Sequence, residues 1–384
     1  MITCARNRAV TLLALSLAAA GCGQRPAGQA VEAAGLLDGP APEHFTRALG
    51  EGAIRFPDDH GPHPDYRTEW WYFTGNLHGA DSRHFGFELT FFRFALTAEA
   101  SERSSAWAAD QVYMAHFALT DTAGRRHMAV EQLERAALGL AGARARPFRV
   151  WLGAWSAESL TEALFPMHLS ARSESAAIEL ELAASKPPVL HGDDGLSRKG
   201  PQAGNASWYY SFTRLPAAGQ IRLDGKTFTV SGQAWMDREW GTSALGAGVE
   251  GWDWFALQLD DGTELMFYRL RRSNGLSDPF SAGSLVAADG GRKALEAGDV
   301  VVRETDFWTS PATGITYPSG WRLYLPAHGL ALDVTPRLAA QEMALSVRYW
   351  EGAVTVAGAG SRGPVRGEGY VELAGYGGGD VAGR

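Results

Sequence analysis

Beyond residue 53 the chain is a succession of short runs in which apolar and polar residues alternate, each closed by Gly, Pro, Asp or Asn. HFGFELTFFRFAL (84–96), QVYMAHFALTD (111–121), FRVWLGAWSA (148–157), AAIELELAAS (176–185) and KTFTVSGQAWM (226–236) are the clearest. Period-two alternation rich in aromatic and branched residues predicts half-buried strands. Sustained helical periodicity is scarce. VEQLERAAL (130–138) fits either a helix or a strand with a turn. Many even strands joined by tight turns predict an all-β architecture of barrels or sandwiches.

The pattern also repeats. WWYFTGNLHG (70–79) aligns with WDWFALQLDD (252–261), matching Trp70 to Trp252, Tyr72 to Trp254, Phe73 to Phe255, Asn76 to Gln258 and Leu77 to Leu259. Each segment turns through a short polar loop into an apolar strand ending in arginine, FELTFFR (87–93) and ELMFYR (264–269). A repeat of this kind predicts two copies of a hairpin-led β-domain. Alternation puts Trp70, Tyr72, Thr74 and Asn76 on one face, and Trp71, Phe73, Gly75 and Leu77 on the other. The second face is the more apolar and should line a barrel interior. Asp253 falls on it, opposite Trp71 in the alignment. It is either a desolvated, protonated acid or a carboxylate paired with an arginine such as Arg238. Glu69 has Gly251 as its counterpart and is the weaker candidate acid, so the second copy is the better place to look for chemistry.

The leader changes the picture of location. Arg6 and Arg8 precede an apolar stretch from Ala9 to Ala20, then Gly21 and Cys22, which reads as an export signal with a lipidated Cys22. Residues 22–52, rich in Gly, Pro and Ala, form a flexible tether. Cys4 and Cys22 are the only cysteines, so the exported body has no disulfide or thiolate metal site. Loss of Arg6 and Arg8 takes the formal charge from −8 to −10, which argues against nucleic acid as a partner. The loop PDDHGPHP (57–64), with Asp58, Asp59, His60 and His63, reads as a turn rather than a metal site.

EWWYFTGNL, FGFELTFFR, QVYMAHFALTD, AWMDREWGTS, GWDWFALQLDDGTELMFYRLR, YPSGW and GEGYVELAGY together resemble the AttH-like family, a relative of the carotenoid 1,2-hydratases (CrtC-like). The resemblance runs from about residue 56 to 376. It implies two tandem lipocalin-like (calycin-type) antiparallel β-barrels, divided here as 53–230 and 231–384 behind a signal peptide of 1–21. It implies no cofactor, and it points to AWMDREWGTS as the segment that holds acids. Arg238 stands where AttH-like sequences usually carry histidine, and a guanidinium cannot shuttle protons near neutrality.

The candidate catalytic residues are therefore Asp237, Glu239 and Asp253, with Asp237 and Glu239 alternatively a structural pair beside the loop 241–251. The candidate ligand-binding residues are Trp70, Trp71, Tyr72, His116, Trp240, Trp252 and Trp254. His116 on an apolar strand face also fits a satisfied core histidine, and Glu88 reads as outward-facing. There is no GxSxG elbow, so a serine hydrolase gains no support. Three functions stay open. The first is an exported lipoprotein holding a long apolar ligand, an isoprenoid or acyl lipid, beside an ABC-type permease. The second is a cofactor-free hydro-lyase that hydrates an acyclic isoprenoid by acid catalysis. The third is a non-catalytic scaffold for a membrane transporter.

Overall fold

A computed structural model describes residues 44–50, 54–98, 105, 108–242, 245–361 and 363–377, and the backbone of 31–32. The leader with Cys22, and nearly all of the tether, lie outside the described residues. Among those described, helix is confined to the 3-10 turns Asp58–His60 and Pro326–His328, and no helix is long and apolar enough to cross a membrane. The segment 130–138, open between helix and strand in the sequence, is strand in Arg126–Arg135.

The strands form two sheets, of 13 and 11 strands, antiparallel except where Val31–Glu32 pairs parallel with Val347–Gly360 in the second. Both are built the same way. In the first, Thr68–Gly79 pairs with the next strand, His84–Ala95, on one side and with the sheet's last strand, Lys226–Gly241, on the other. In the second, Val249–Leu259 pairs with Glu264–Arg272 and with the last strand, Gly363–Ala374. Each sheet is thus an up-and-down meander whose first and last strands meet, as a barrel requires. In each, the one break in hydrogen bonding follows the fourth strand of this meander: between Arg126–Arg135 and Ala141–Ala145, and between Arg292–Glu296 and Val301–Thr309. The repeat read from two hairpins therefore extends to whole barrels. The changeover lies between Gly241 and Val249, because Lys226–Gly241 belongs to the first sheet along its whole length. A boundary at residue 230 would cut that strand.

The apolar face does fill the barrels. Trp71, Phe73 and Leu77 join Phe87, Leu89, Trp155 and Ile178 in the first core, and Phe255, Leu257 and Leu259 join Trp321 and Trp350 in the second. Sequence alternation does not show what covers the opposite faces. The two barrels pack there on each other, burying Tyr72, Tyr209 and Trp235 of one against Trp254, Met266, Tyr268 and Tyr370 of the other. Asn76 donates to the Gly369 carbonyl (3.0 Å), and its aligned partner Gln258 donates to those of Thr213 (2.8 Å) and Ala234 (3.0 Å). Gly86 is required at this seam, since a Cβ there would lie 2.6 Å from the Ala353 methyl.

Candidate active site between the barrels

A cavity of about 160 Å³ opens in this seam, close to the volume in which an apolar protein cavity holds a benzene ring. Its walls come from both barrels: Trp70, Tyr72, Phe92 and Phe94 from the first, and Trp252, Trp254 and Tyr268 from the second. Four carboxyl side chains beyond Glu69 reach it, Asp237, Glu239, Glu351 and Glu372, and Lys199 is the one basic residue among the described lining.

Asp237 and Glu239 share the outward face of Lys226–Gly241, because Ala234, Met236 and Trp240 take the core face. Tyr209 donates to Asp237 Oδ2, while Ser211 and the Trp235 indole donate to Oδ1. These donors favour the anion, yet burial outweighs them and, with Glu239 adding, pushes Asp237 up to about 7. Tyr209 in turn accepts from Trp254 Nε1 (3.1 Å). Behind Ser211, His191 bridges to Ser284 of the second barrel (2.7 and 2.9 Å) and is held neutral by burial. Lys199 Nζ lies 3.4 Å from Glu239 and 3.8 Å above the Tyr268 ring. Burial works against its charge, but Glu239 and Tyr268 outweigh that and raise its pKa.

Across the cavity, the Tyr72 hydroxyl donates to Glu351 Oε1 and Trp252 Nε1 donates to Glu372 (2.8 Å). Glu88 lies behind them, fully buried, with no well-formed hydrogen bond to either oxygen. Burial pushes Glu88 and Glu351 well above the ordinary carboxylate range, with their mutual and Glu372 repulsions adding, and lifts Glu372 to about 7. A buried, largely apolar site with this many carboxyls and one ammonium does not ionise them all, so it holds protons near neutrality.

The structure redistributes the sequence candidates. Asp237, Glu239, Trp70, Tyr72, Trp252 and Trp254 line the cavity; Trp71, Trp240, His116 and Asp253 do not. Trp71 is core. Trp240 is core too, stacked on His63 at 3.9 Å. Asp253 is buried inside the second barrel, where Arg269 and Arg271 bind its two oxygens and Tyr376 donates to it at 2.8 Å. Its partner is not Arg238, which lies in the first barrel between the Trp71 and Trp240 rings and pairs with Glu69. Burial alone would raise the Glu69 pKa, but Arg238 and Arg93 together hold it well below the ordinary range. Glu69, although at the cavity wall, is thus an anchor and no proton donor. Glu88 is buried, not outward-facing. Tyr209, Lys199, Glu351 and Glu372 were not singled out by the sequence. Glu372 in YVELA and Glu351 in YWEGA alternate with core residues, a signal that marks their face without saying what covers it.

The AttH-like family model matches residues 47–376. The chain belongs to the AttH-like family. An AttH from Nitrosomonas europaea is 33% identical, with a TM-score of 0.77 over 86% of this chain and all of that one. Kievitone hydratase from Nectria haematococca superposes with a TM-score of 0.65 at 14% identity, over 87% of this chain and 97% of that one. CghA does so with a TM-score of 0.50 at 13% identity, over 87% and 96%. These two likenesses establish a shared fold. No curated protein matches the sequence.

Proposed function

We propose that this AttH-like protein is a cofactor-free hydro-lyase that adds water to, or removes it from, an unsaturated apolar molecule held between the barrels. The observation that supports it is the buried carboxyl of Asp237 at the cavity wall, poised at about 7. A carboxylic acid with a pKa near the working pH is suited to protonating an alkene carbon. The flanking faces of Trp254, Tyr209 and Trp252 stabilise the cation that results. Glu239 or Glu372 then orients the water. That a protein with this fold is a hydratase favours the reading. The enclosed volume fits the reacting end of a ligand, an isoprenoid terminus or a prenyl group, with the rest extending along the seam.

The test is incubation with acyclic isoprenoids and prenylated phenols in heavy-oxygen water. Labelled tertiary alcohol is expected from wild type, with loss of at least about 100-fold in rate in Asp237→Asn. Absence of labelled product across both classes would overturn the reading in favour of the carrier. That second reading draws on the aromatic wall and predicts an apolar molecule extractable from the purified protein. The transporter scaffold is the third, and stable co-purification with a permease would favour it. Export and anchoring at Cys22 are part of the proposal, and acyl incorporation lost in Cys22→Ser is their test.

A further inference from the structure

Three side chains that the mechanism above does not use form a chain from the surface to the cavity. Tyr349, on Val347–Gly360 of the second barrel, is part of the cavity wall. Its hydroxyl lies 2.6 Å from His116 Nδ1, and His116 Nε2 lies 3.1 Å from Glu131 Oε2. His116 is fully buried, while the Glu131 side chain is 21% exposed. The Ser346 hydroxyl also donates to Glu131 (2.6 Å), fixing the carboxylate from the second barrel. Phe92 packs edge-on against the imidazole and fixes its plane. Every link is specified: the phenol donates to Nδ1, Nε2–H donates to the carboxylate, and the carboxylate meets solvent. This is the nucleophile–histidine–carboxylate logic with a phenol at its head, assembled only when the two barrels dock.

We infer that Tyr349 is a second catalytic residue, a general base or nucleophile at the cavity wall, driven by His116 and Glu131 as positioning residues. The role in hydration rests on the proposed function. There, the attacking water forms its carbon–oxygen bond and gives its proton to the Tyr349 oxygen. The phenolic proton passes to His116 Nδ1, and the Glu131 carboxylate stabilises the imidazolium that forms. Asp237 supplies the proton added to carbon and regains one from solvent, while His116 releases its extra proton to solvent past the part-exposed Glu131. Water and alkene are thus consumed in equal number, with no redox change. Acid and base then sit on different barrels, which explains why neither barrel alone carries a complete site.

Burial and the carboxyls of Glu88, Glu351 and Glu372 hold the Tyr349 phenol well above its ordinary pKa, so its reactivity depends on handing its proton to His116, whether or not the natural substrate is a hydration substrate. The experiment therefore uses phenylmethanesulfonyl fluoride, an apolar ring with a transferable sulfonyl group. The Tyr349 oxygen forms a bond to sulfur, fluoride leaves, and the phenolic proton passes to His116. Peptide mapping by mass spectrometry is expected to find Tyr349 modified at least about tenfold faster than the cavity tyrosines Tyr72, Tyr209 and Tyr268. His116→Gln should slow that modification about tenfold or more, and Glu131→Gln about threefold or more, with labelling of the other tyrosines unchanged in the folded variants. Glu131 is partly exposed, so its variant keeps the test valid if His116→Gln fails to fold. Tyr349 left unmodified in the folded protein, or modified equally fast in Glu131→Gln, would overturn the inference. Neither outcome depends on hydratase activity.

Discussion

Glu88 and Glu264 open the matched strands FELTFFR and ELMFYR of the two barrels, and both are fully buried. Their surroundings are opposite. Glu264 is gripped by Lys186 Nζ (2.7 Å) and Arg214 Nε (2.5 Å), with the Thr213 hydroxyl at 3.2 Å. Glu88 has no cation against it, and its neighbours Glu351 and Glu372 are acids. Duplication supplied the same carboxyl twice. One copy became part of the clamp between barrels, since Lys186 and Arg214 come from the first barrel and Glu264 from the second. The other was left among carboxyls behind the cavity, where the cheapest state is protonated. Chemistry and cohesion have been divided between equivalent positions.

Stability measurements can break this comparison. Glu264→Gln strands two largely buried cations and should cost about 3 kcal/mol in denaturant unfolding, the scale on which broken buried pairs fall. Glu88→Gln replaces a protonated acid with an isostere and should cost less than about 1 kcal/mol. Equal costs would show that Glu88 is ionised and paired after all. Asp253→Asn belongs with Glu264, because it leaves Arg271 without its carboxylate and Arg269 with Glu304 alone. It should lose about 3 kcal/mol while binding of an apolar fluorescent probe is kept. A loss of probe binding with unchanged stability would restore Asp253 to the site.

Within the seam itself, Trp254→Ala should weaken binding of the same probe by about tenfold, through lost aromatic wall. Trp71→Ala should act on stability alone. A smaller effect is in the pH dependence. Asp237 and Glu372 have folded pKa values raised to about 7, above their unfolded values of 3.8 and 4.5. These two groups bind more protons in the folded state than in the unfolded, so their contribution to stability falls as pH rises through the window between about 4 and about 7 and levels off above it. Asp237→Asn should flatten that slope. A stability that climbs across the same window would point to the histidines that burial holds neutral, His60, His84 and His127, as the dominant groups.

The two barrels and their inward faces were legible in the sequence, because period-two alternation and a matched hairpin report directly on which side chains a barrel must bury. Trp71, Phe73, Phe255 and Leu257 fall where that logic puts them. The repeat alignment was less exact. It sets Trp71 against Asp253, whereas strand pairing sets Glu69 opposite Arg93 and Asp253 opposite Arg269. The structural counterpart of Asp253 is therefore Glu69, two residues earlier on the same face. Both are buried anchors to an arginine. Half of the candidate site was visible in AWMDREWGTS, since alternation separates Asp237 and Glu239 from Arg238 and Trp240. The other half was not, because Glu351, Glu372, Tyr349 and Lys199 reach the cavity only through the packing of one barrel's outer face on the other's. Nothing in a strand's own periodicity reports what covers its polar face.

The proposed chemistry needs a proton held by Asp237 near neutral pH in the seam between the barrels. Difference infrared spectroscopy of wild type against Asp237→Asn, recorded from pH 4 to pH 9, reads that proton directly. A protonated-carboxyl band assigned to Asp237 is expected, disappearing with a midpoint near 7. A band already lost by pH 5, the behaviour of an ordinary solvated aspartate, would contradict it.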